Sequence, residues 1–315
     1  MKIQKVHFYA TIYAFLAFIF SMYISPFYTK GDQYYYIKFY EECFIPGEDQ
    51  WFCFTNTTGS AEPVYFLLTK IAQEFISKDL YISIANAILV FLISLLVLRN
   101  YKVVWHRHLF LWLIFLNYYL IVLFFSAERL KFALIFILIA IIVSKTKAKI
   151  IFYLTALFTH VQTILLLTPY LTKIFIKSQL SLFKKILIFF ATSLVGLGVF
   201  LSLRTHIESK FLAYTSTGED SSNLMGVLKT LIFVVLASIT TKKIDPLIAG
   251  LPLVIASFIL GGERISVLAF FLYLGYVIYY KRKMDIIMFI VMFYFVFTGY
   301  KFLNNILIYG TGYLK

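Results

Sequence analysis

Residues 80–98, LYISIANAILVFLISLLVL, decide the fold. The run holds no charged residue. An α-helix rises about 1.5 Å per residue, so a stretch of this length nearly crosses the roughly 30 Å hydrocarbon core of a bilayer. Arg99, Lys102 and Arg107 follow it. Basic residues gather on the cytoplasmic side of membrane helices, so the run points inward.

Working outward from this span, similar apolar runs appear on both sides. Residues 7–25 follow Lys2 and Lys5 and lack a small-x-small cleavage site, which predicts an uncleaved helix with a cytoplasmic N-terminus. Residues 26–79 then form a polar outer loop. Its segment 63–77, PVYFLLTKIAQEFIS, carries Lys70, Gln73 and Glu74 and reads as an amphipathic interfacial helix. A full span there would place Arg99, Lys102 and Arg107 outside. Further spans are expected at 109–125 and 130–144, followed by a short hairpin over 150–176 turning near His160. Residues 186–203 lead to a second outer loop, 204–224, and then come 225–241, a hairpin of 246–260 and 265–280, and 285–300. The total is about 11 transmembrane segments in a single membrane domain spanning 1–315. The tail 301–315 is apolar too weakly to be placed.

The orientation can be checked by counting. It puts 17 of the 29 basic residues in the cytoplasm, with only Asp245 and Asp285 of the 15 acids. Composition agrees: 61% of the 315 residues are hydrophobic and 14% charged, where a soluble domain carries about a quarter charged residues. That excludes a soluble enzyme, a disordered chain and a nucleic-acid module, so the +14 charge reports loop asymmetry. Two cysteines make neither a disulfide scaffold nor a four-ligand metal site. An outside loop permits a disulfide between Cys43 and Cys53. No P-loop, HExxH, GxSxG or DxD metal signature is present, and no cofactor or metal is expected.

Chemistry is expected where polar residues collect at the outer ends of helices. Ser126-Ala127-Glu128-Arg129 opens one span and Gly261-Gly262-Glu263-Arg264 opens another. Eleven residues beyond the arginines stand Ala140 and Gly275, about three turns on, where a small residue admits a neighbouring helix. Two guanidiniums at one membrane face suit a diphosphate, which arginine grips bidentately. Snorkelling arginines paired with Glu128 and Glu263 are the plain alternative. His160 sits at the tip of its hairpin, where an imidazole donates to a phosphate or takes a proton from a hydroxyl. Arg204 and His206 begin the next outer loop. A solvated role suits both, and Arg204 is also retained as a diphosphate ligand. Asp32, followed by Tyr34, Tyr35, Tyr36 and Tyr40, fits a sugar site or an interfacial aromatic belt. Glu62-Pro63-Val64-Tyr65 fits ordinary helix-start chemistry.

These pieces resemble the Wzy-type polymerases of bacterial surface polysaccharides, above all the EpsG-like branch. The resemblance is carried by Asp32 with Tyr36, by Glu62-Pro63-Val64-Tyr65, by Arg129 with Ala133 in ERLKFALIF, by His160 in LFTHVQTILLL and by Arg264 in GGERISVLAFFLYLG. The Arg264–Gly275 spacing resembles the Arg-x10-Gly element of such polymerases. At Arg129 the small residue is Ala140, so that copy departs from the pattern.

The resemblance implies a GT-C-like, all-α membrane fold in the bacterial inner membrane. It implies transfer of a growing glycan from undecaprenyl diphosphate to the next lipid-linked oligosaccharide repeat unit, building O-antigen, capsule or exopolysaccharide. Membrane lipids, a flippase and a chain-length regulator are the implied partners. The expected mechanism is inverting and metal-independent, with Arg129 and Arg264 stabilising the departing diphosphate. Asp32 or His160 is the base, and the residues do not choose between them. Glu62, Tyr65 and Tyr36 shape the sugar pocket, and Glu128 and Glu263 orient the arginines. Competing readings are a lipid-linked sugar flippase or other transporter, a membrane acyltransferase, a related ligase, and a structural membrane subunit.

Overall fold

The uncharged run lies inside a 23-residue helix, Lys78–Asn100. Ser77 starts it by accepting the N–H of Leu80 at 3.4 Å, which satisfies one donor that a helix start leaves open. The computed structural model describes residues 3–47, 49–101, 103–167, 220–280 and 284–313, with Ser181 and Phe183 besides. Regular structure among the described residues is helical throughout. In chain order the helices are α1 (Ile3–Ile24), α2 (Asp32–Glu42), α3 (Gln50–Thr58), α4 (Pro63–Gln73), α5 (Lys78–Asn100), α6 (Val104–Phe115) and α7 (Tyr118–Phe125). They continue with α8 (Glu128–Ile142), α9 (Thr146–Thr159), α10 (Asp220–Thr241), α11 (Asp245–Leu260), α12 (Gly262–Tyr280) and α13 (Ile286–Tyr309). The chain divides into two compact units, Met1–Thr163 with Lys281–Lys315, and Ile164–Tyr280.

In the first unit α1 lies along α5. Val6, Ala10, Tyr13, Ala17, Ser21 and Ile24 recur every three or four residues and form its buried stripe. Phe8, Phe15 and Ile19 point outward, which costs nothing against lipid. Polar bonds lace the seam: Ser25 donates to Asp79 at 2.6 Å, and Asn86 donates to Ser21 at 2.7 Å. The disulfide Cys43–Cys53 ties the end of α2 to α3. The amphipathic α4 buries Tyr65, Phe66 and Thr69 and turns Leu67 and Ile71 outward, in keeping with the helix expected over 63–77.

Three places differ from expectation. The span expected over 109–125 is broken into α6 and α7, which meet at a bend of 50°. Asn117 causes the restart, because its side chain accepts the N–H of Tyr119 at 3.0 Å and caps α7. Gly299 of α13 lies against the break, and a Cβ there would stand 2.6 Å from the Leu116 carbonyl. The tail is regular: α13 runs on to Tyr309 and stops at Gly310, whose φ of 73° suits glycine. The Gly310 carbonyl then accepts the N–H groups of Thr29 (3.2 Å) and Lys30 (2.9 Å), so the chain folds back onto the end of α1.

The third concerns the number of spans, of which the described residues show a part. Among the described residues five helices are long and apolar enough to cross a membrane: α1, α5, α10, α12 and α13. The bent α6–α7 pair makes a sixth if counted as one. α8, α9 and α11 have only 15, 14 and 16 residues. Segment 186–203 and the returning limb of the 150–176 hairpin lie outside the described residues.

The second unit's described helices pack α10 against both α11 and α12. Gly226 permits the closest approach, since a Cβ there would meet the Gly262 backbone at 2.3 Å. α11 and α12 are separated by Gly261 alone, at a φ of 95°, so the expected hairpin turn is a single glycine.

Candidate functional site

Among the acids at helix starts in the first unit are Asp32 in α2, Glu62 just before α4 and Glu128 in α8. A carboxylate there ordinarily bonds the open N–H groups of its own helix. None of these helices shows such a cap bond. Each acid reaches another part of the chain instead, and together they build two adjoining clusters.

Glu62 is the centre of the first. Its Oε2 lies 2.5 Å from Arg129 Nη1 and also accepts from the Ser60 hydroxyl. Its Oε1 lies 2.9 Å from His160 Nδ1. Burial pushes the Glu62 carboxyl up, but Arg129, His160 and Ser60 together outweigh it and hold the group below the usual carboxylate range. Pro63 takes the first helical position, where its missing N–H costs nothing, and the Glu62 side chain makes no cap bond to α4.

Arg129 is held at two nitrogens, with Nε donating to the Tyr36 hydroxyl at 3.1 Å. A guanidinium has five N–H donors, and two are engaged among the described residues. Tyr36 and Tyr65 stack edge to face with ring centres 6.0 Å apart. Burial raises the pKa of both phenols. The Arg129 charge partly offsets it at Tyr36, while the Glu128 carboxylate adds to it at Tyr65.

His160 ends α9. Its N–H bonds the Ala156 carbonyl at 3.0 Å, and its own carbonyl accepts from Thr163 Oγ1 at 2.6 Å. A carboxylate on Nδ1 places the proton on that nitrogen and leaves Nε2 as an acceptor. Nε2 has no partner among the described residues.

Glu128 belongs to a second, deeper cluster. Oε1 takes Gln33 Nε2 at 2.7 Å and Lys78 Nζ at 3.1 Å, and Oε2 takes the Tyr65 hydroxyl at 2.8 Å. Lys131, one turn further along α8, is fully buried and donates to the Phe124 carbonyl at 3.0 Å. Asp32 is exposed and accepts from Ser126 at 3.0 Å.

The structure thus gathers Asp32, Tyr36, Glu62, Tyr65, Glu128, Arg129 and His160 at one end of the first unit. It corrects one assignment: Arg129 is oriented by Glu62 and Tyr36, with Glu128 turned to Lys78, Gln33 and Tyr65. Consecutive helix residues point about 100° apart, so neighbours in sequence diverge. In the second unit Arg264 is exposed, and Glu263 accepts from Lys229 at 2.6 Å. Gly275 is exposed, and a Cβ there meets nothing within 4 Å among the described residues, unlike the close approach expected of it. Ala140 is fully buried. Arg204 and His206 lie outside the described residues.

Sequence reasoning missed Ser60, Gln33, Lys78 and Lys131. Two of these carried a signal. A lysine in the first turn of a helix opposes the dipole, so Lys78 needed a carboxylate partner. Lys131 interrupts an apolar run, which marks function by default. No group of three His, Cys, Asp or Glu able to hold a metal ion occurs among the described residues.

The assembled geometry offers a fixed cation with spare donors, a histidine oriented by a carboxylate, and a tyrosine hydroxyl on the cation. No protein-family model, curated protein or solved structure matches this chain.

Proposed function

We propose that the chain is a Wzy-type polymerase that joins undecaprenyl-diphosphate-linked oligosaccharide units at the outer face of the bacterial inner membrane, with its N-terminus in the cytoplasm. One observation carries the proposal: of the first-unit residues that carry the resemblance, Tyr36, Glu62, Arg129 and His160, scattered over more than 120 positions, are bonded in one chain, and Asp32 is tied to Ser126 beside the start of α8. The orientation has support of its own. The helix ends that basic-residue counting assigns to the outside are the ones that meet there: the ends of α1, α7 and α9 and the starts of α5 and α8.

In this mechanism His160 Nε2 takes the proton of the acceptor hydroxyl. Glu62 holds Nδ1 and stabilises the imidazolium that forms, as the aspartate does in a hydrolase triad. The acceptor oxygen bonds to the anomeric carbon as the bond from that carbon to diphosphate breaks on the opposite face. Negative charge collects on the lipid diphosphate. Arg129, with three N–H groups to offer, stabilises it in a partly water-excluded place. His160 then loses its proton to water. Asp32 and Tyr36 bind sugar hydroxyls. Arg129 alone among the arginines is required by this scheme. The structure favours His160 over Asp32 as base because only His160 has both an orienting carboxylate and an acceptor nitrogen to spare.

Surface polysaccharide resolved on a gel, with and without the gene, tests the proposal. Deletion should leave single repeat units, and restoring the gene should bring back the ladder. Loss of all surface glycan would point to a flippase or an earlier step. A ladder changed only in its decoration would point to an acyltransferase.

A further inference from the structure

Gln33 and Glu128 are the sequence neighbours of Asp32 and Arg129, and they are bonded to each other. Gln33 Nε2 donates to Glu128 Oε1 at 2.7 Å and to the Phe125 carbonyl, which fastens the first turn of α2 to the α7–α8 junction. Lys78, in the first turn of α5, closes the set. Its Nζ lies 3.1 Å from Glu128 and donates to Gln33 Oε1. Gln33 and Glu128 are 5% and 1% exposed, and the Lys78 side chain is 10% exposed. Ser126, at the same junction, reaches Asp32.

An ion pair buried in this way is a poor source of stability, because desolvation offsets its attraction; the best-attested use of such a pair is to fix register. The Lys78 ammonium also stands at the unfavourable end of the α5 dipole. Both facts argue against simple stabilisation. Register is what the site requires, since Asp32 and Arg129 come from helices that are otherwise distant in sequence.

We infer that Lys78, Gln33 and Glu128 are positioning residues that lock α2 to α8 and so hold Asp32 at the α7–α8 junction and Tyr36 against Arg129. For its effect on turnover the inference rests on the proposed glycosyl transfer. Misplacing reacting groups by about 1 Å costs on the order of 100-fold in rate.

Two readouts on the full chain in nanodiscs test it. The first is turnover of a synthetic undecaprenyl-diphosphate-linked repeat unit. Glu128→Gln should lower kcat about 100-fold while KM moves less than about threefold, because Arg129 still binds the diphosphate but α8 no longer holds it in line with the departing charge. The second needs no activity. A disulfide between Asp32→Cys and Ser126→Cys should form readily with Glu128 present and about tenfold more slowly in Glu128→Gln. Lys78→Arg should preserve both readouts and Lys78→Met should lose both, which covers the case in which Glu128→Gln does not fold. Unchanged crosslinking in folded Glu128→Gln, or in Lys78→Met, overturns the inference. If the unmutated chain makes no polymer while crosslinking still depends on Glu128 and Lys78, the proposed function falls and the positioning role stands.

Discussion

Replacing Arg129 by lysine or by methionine should separate the fold from the chemistry. Arg129 meets Glu62 through Nη1 at 2.5 Å and Tyr36 through Nε at 3.1 Å. The side chains of the ion pair are 15% and 10% exposed. Lysine keeps a charge opposite Glu62 but has one nitrogen, so it loses the Tyr36 bond and the fork that fits a diphosphate. A hydrogen bond of that kind is worth about 1 kcal/mol. Methionine removes the charge. Breaking a buried pair from one side costs about 3–5 kcal/mol, and the low end applies here because Glu62 keeps His160 and Ser60 as partners. Losing a positioned donor to the departing anion costs about 100- to 1000-fold in rate. Stability should therefore rank wild type, then lysine close behind, then methionine about 3 kcal/mol down. Polymer output should fall alike in both variants. Thermal unfolding of the purified protein reads the first quantity and the surface-glycan ladder reads the second. A full ladder from Arg129→Lys would refute the forked grip. Wild-type stability in Arg129→Met would refute the buried ion pair.

Other predictions follow from the same geometry. His160→Gln should lower turnover by about 100- to 10,000-fold, the usual contribution of a general base, and Asp32→Asn by less than about tenfold; the reverse order would make Asp32 the base. The depressed Glu62 carboxyl means that the folded state binds fewer protons than the unfolded one in acid. Its stabilisation is complete above a pH of about 4.5 and fades as pH falls below that, so Glu62→Gln should flatten the acid limb of a melting curve followed against pH. An acid limb identical to wild type would remove Glu62 as its cause. Gly299→Ala puts a methyl against the Leu116 carbonyl and should destabilise by about 1–3 kcal/mol in a thermal melt. An unchanged melting temperature would mean that α13 does not press on the α6–α7 break.

The sequence was most legible where one physical rule dominated. Apolar length announced α1, α5 and α10, and the mixture of apolar and charged residues announced α4. It was less legible where tertiary contacts decide. Nothing in the run 109–125 shows that Asn117 will cap a new helix, because a lone Asn in an apolar span also fits an uninterrupted helix. The site was legible residue by residue but not bond by bond. Glu62 before Pro63 looked like helix-start chemistry, and only the fold reveals that its two oxygens go to Arg129 and His160. Glu128 beside Arg129 invited a pairing that helical geometry forbids. Gln33 gave no signal, since a glutamine between an acid and three tyrosines reads as surface.

Three bonds that build the site reach far along the chain: Tyr65 to Glu128 spans 63 residues, Arg129 to Glu62 spans 67 and His160 to Glu62 spans 98. None can close within a hairpin. During synthesis Glu62 leaves the ribosome long before either of its partners, and α9 must arrive before the His160 ring meets it. A nascent chain halted short of α9 would carry α4 with its carboxylate only half satisfied. Completion of this network therefore marks the moment at which α1 to α9 have come together correctly, before α13 is made, and a misplaced α8 or α9 would leave the Glu62 carboxylate without its partners.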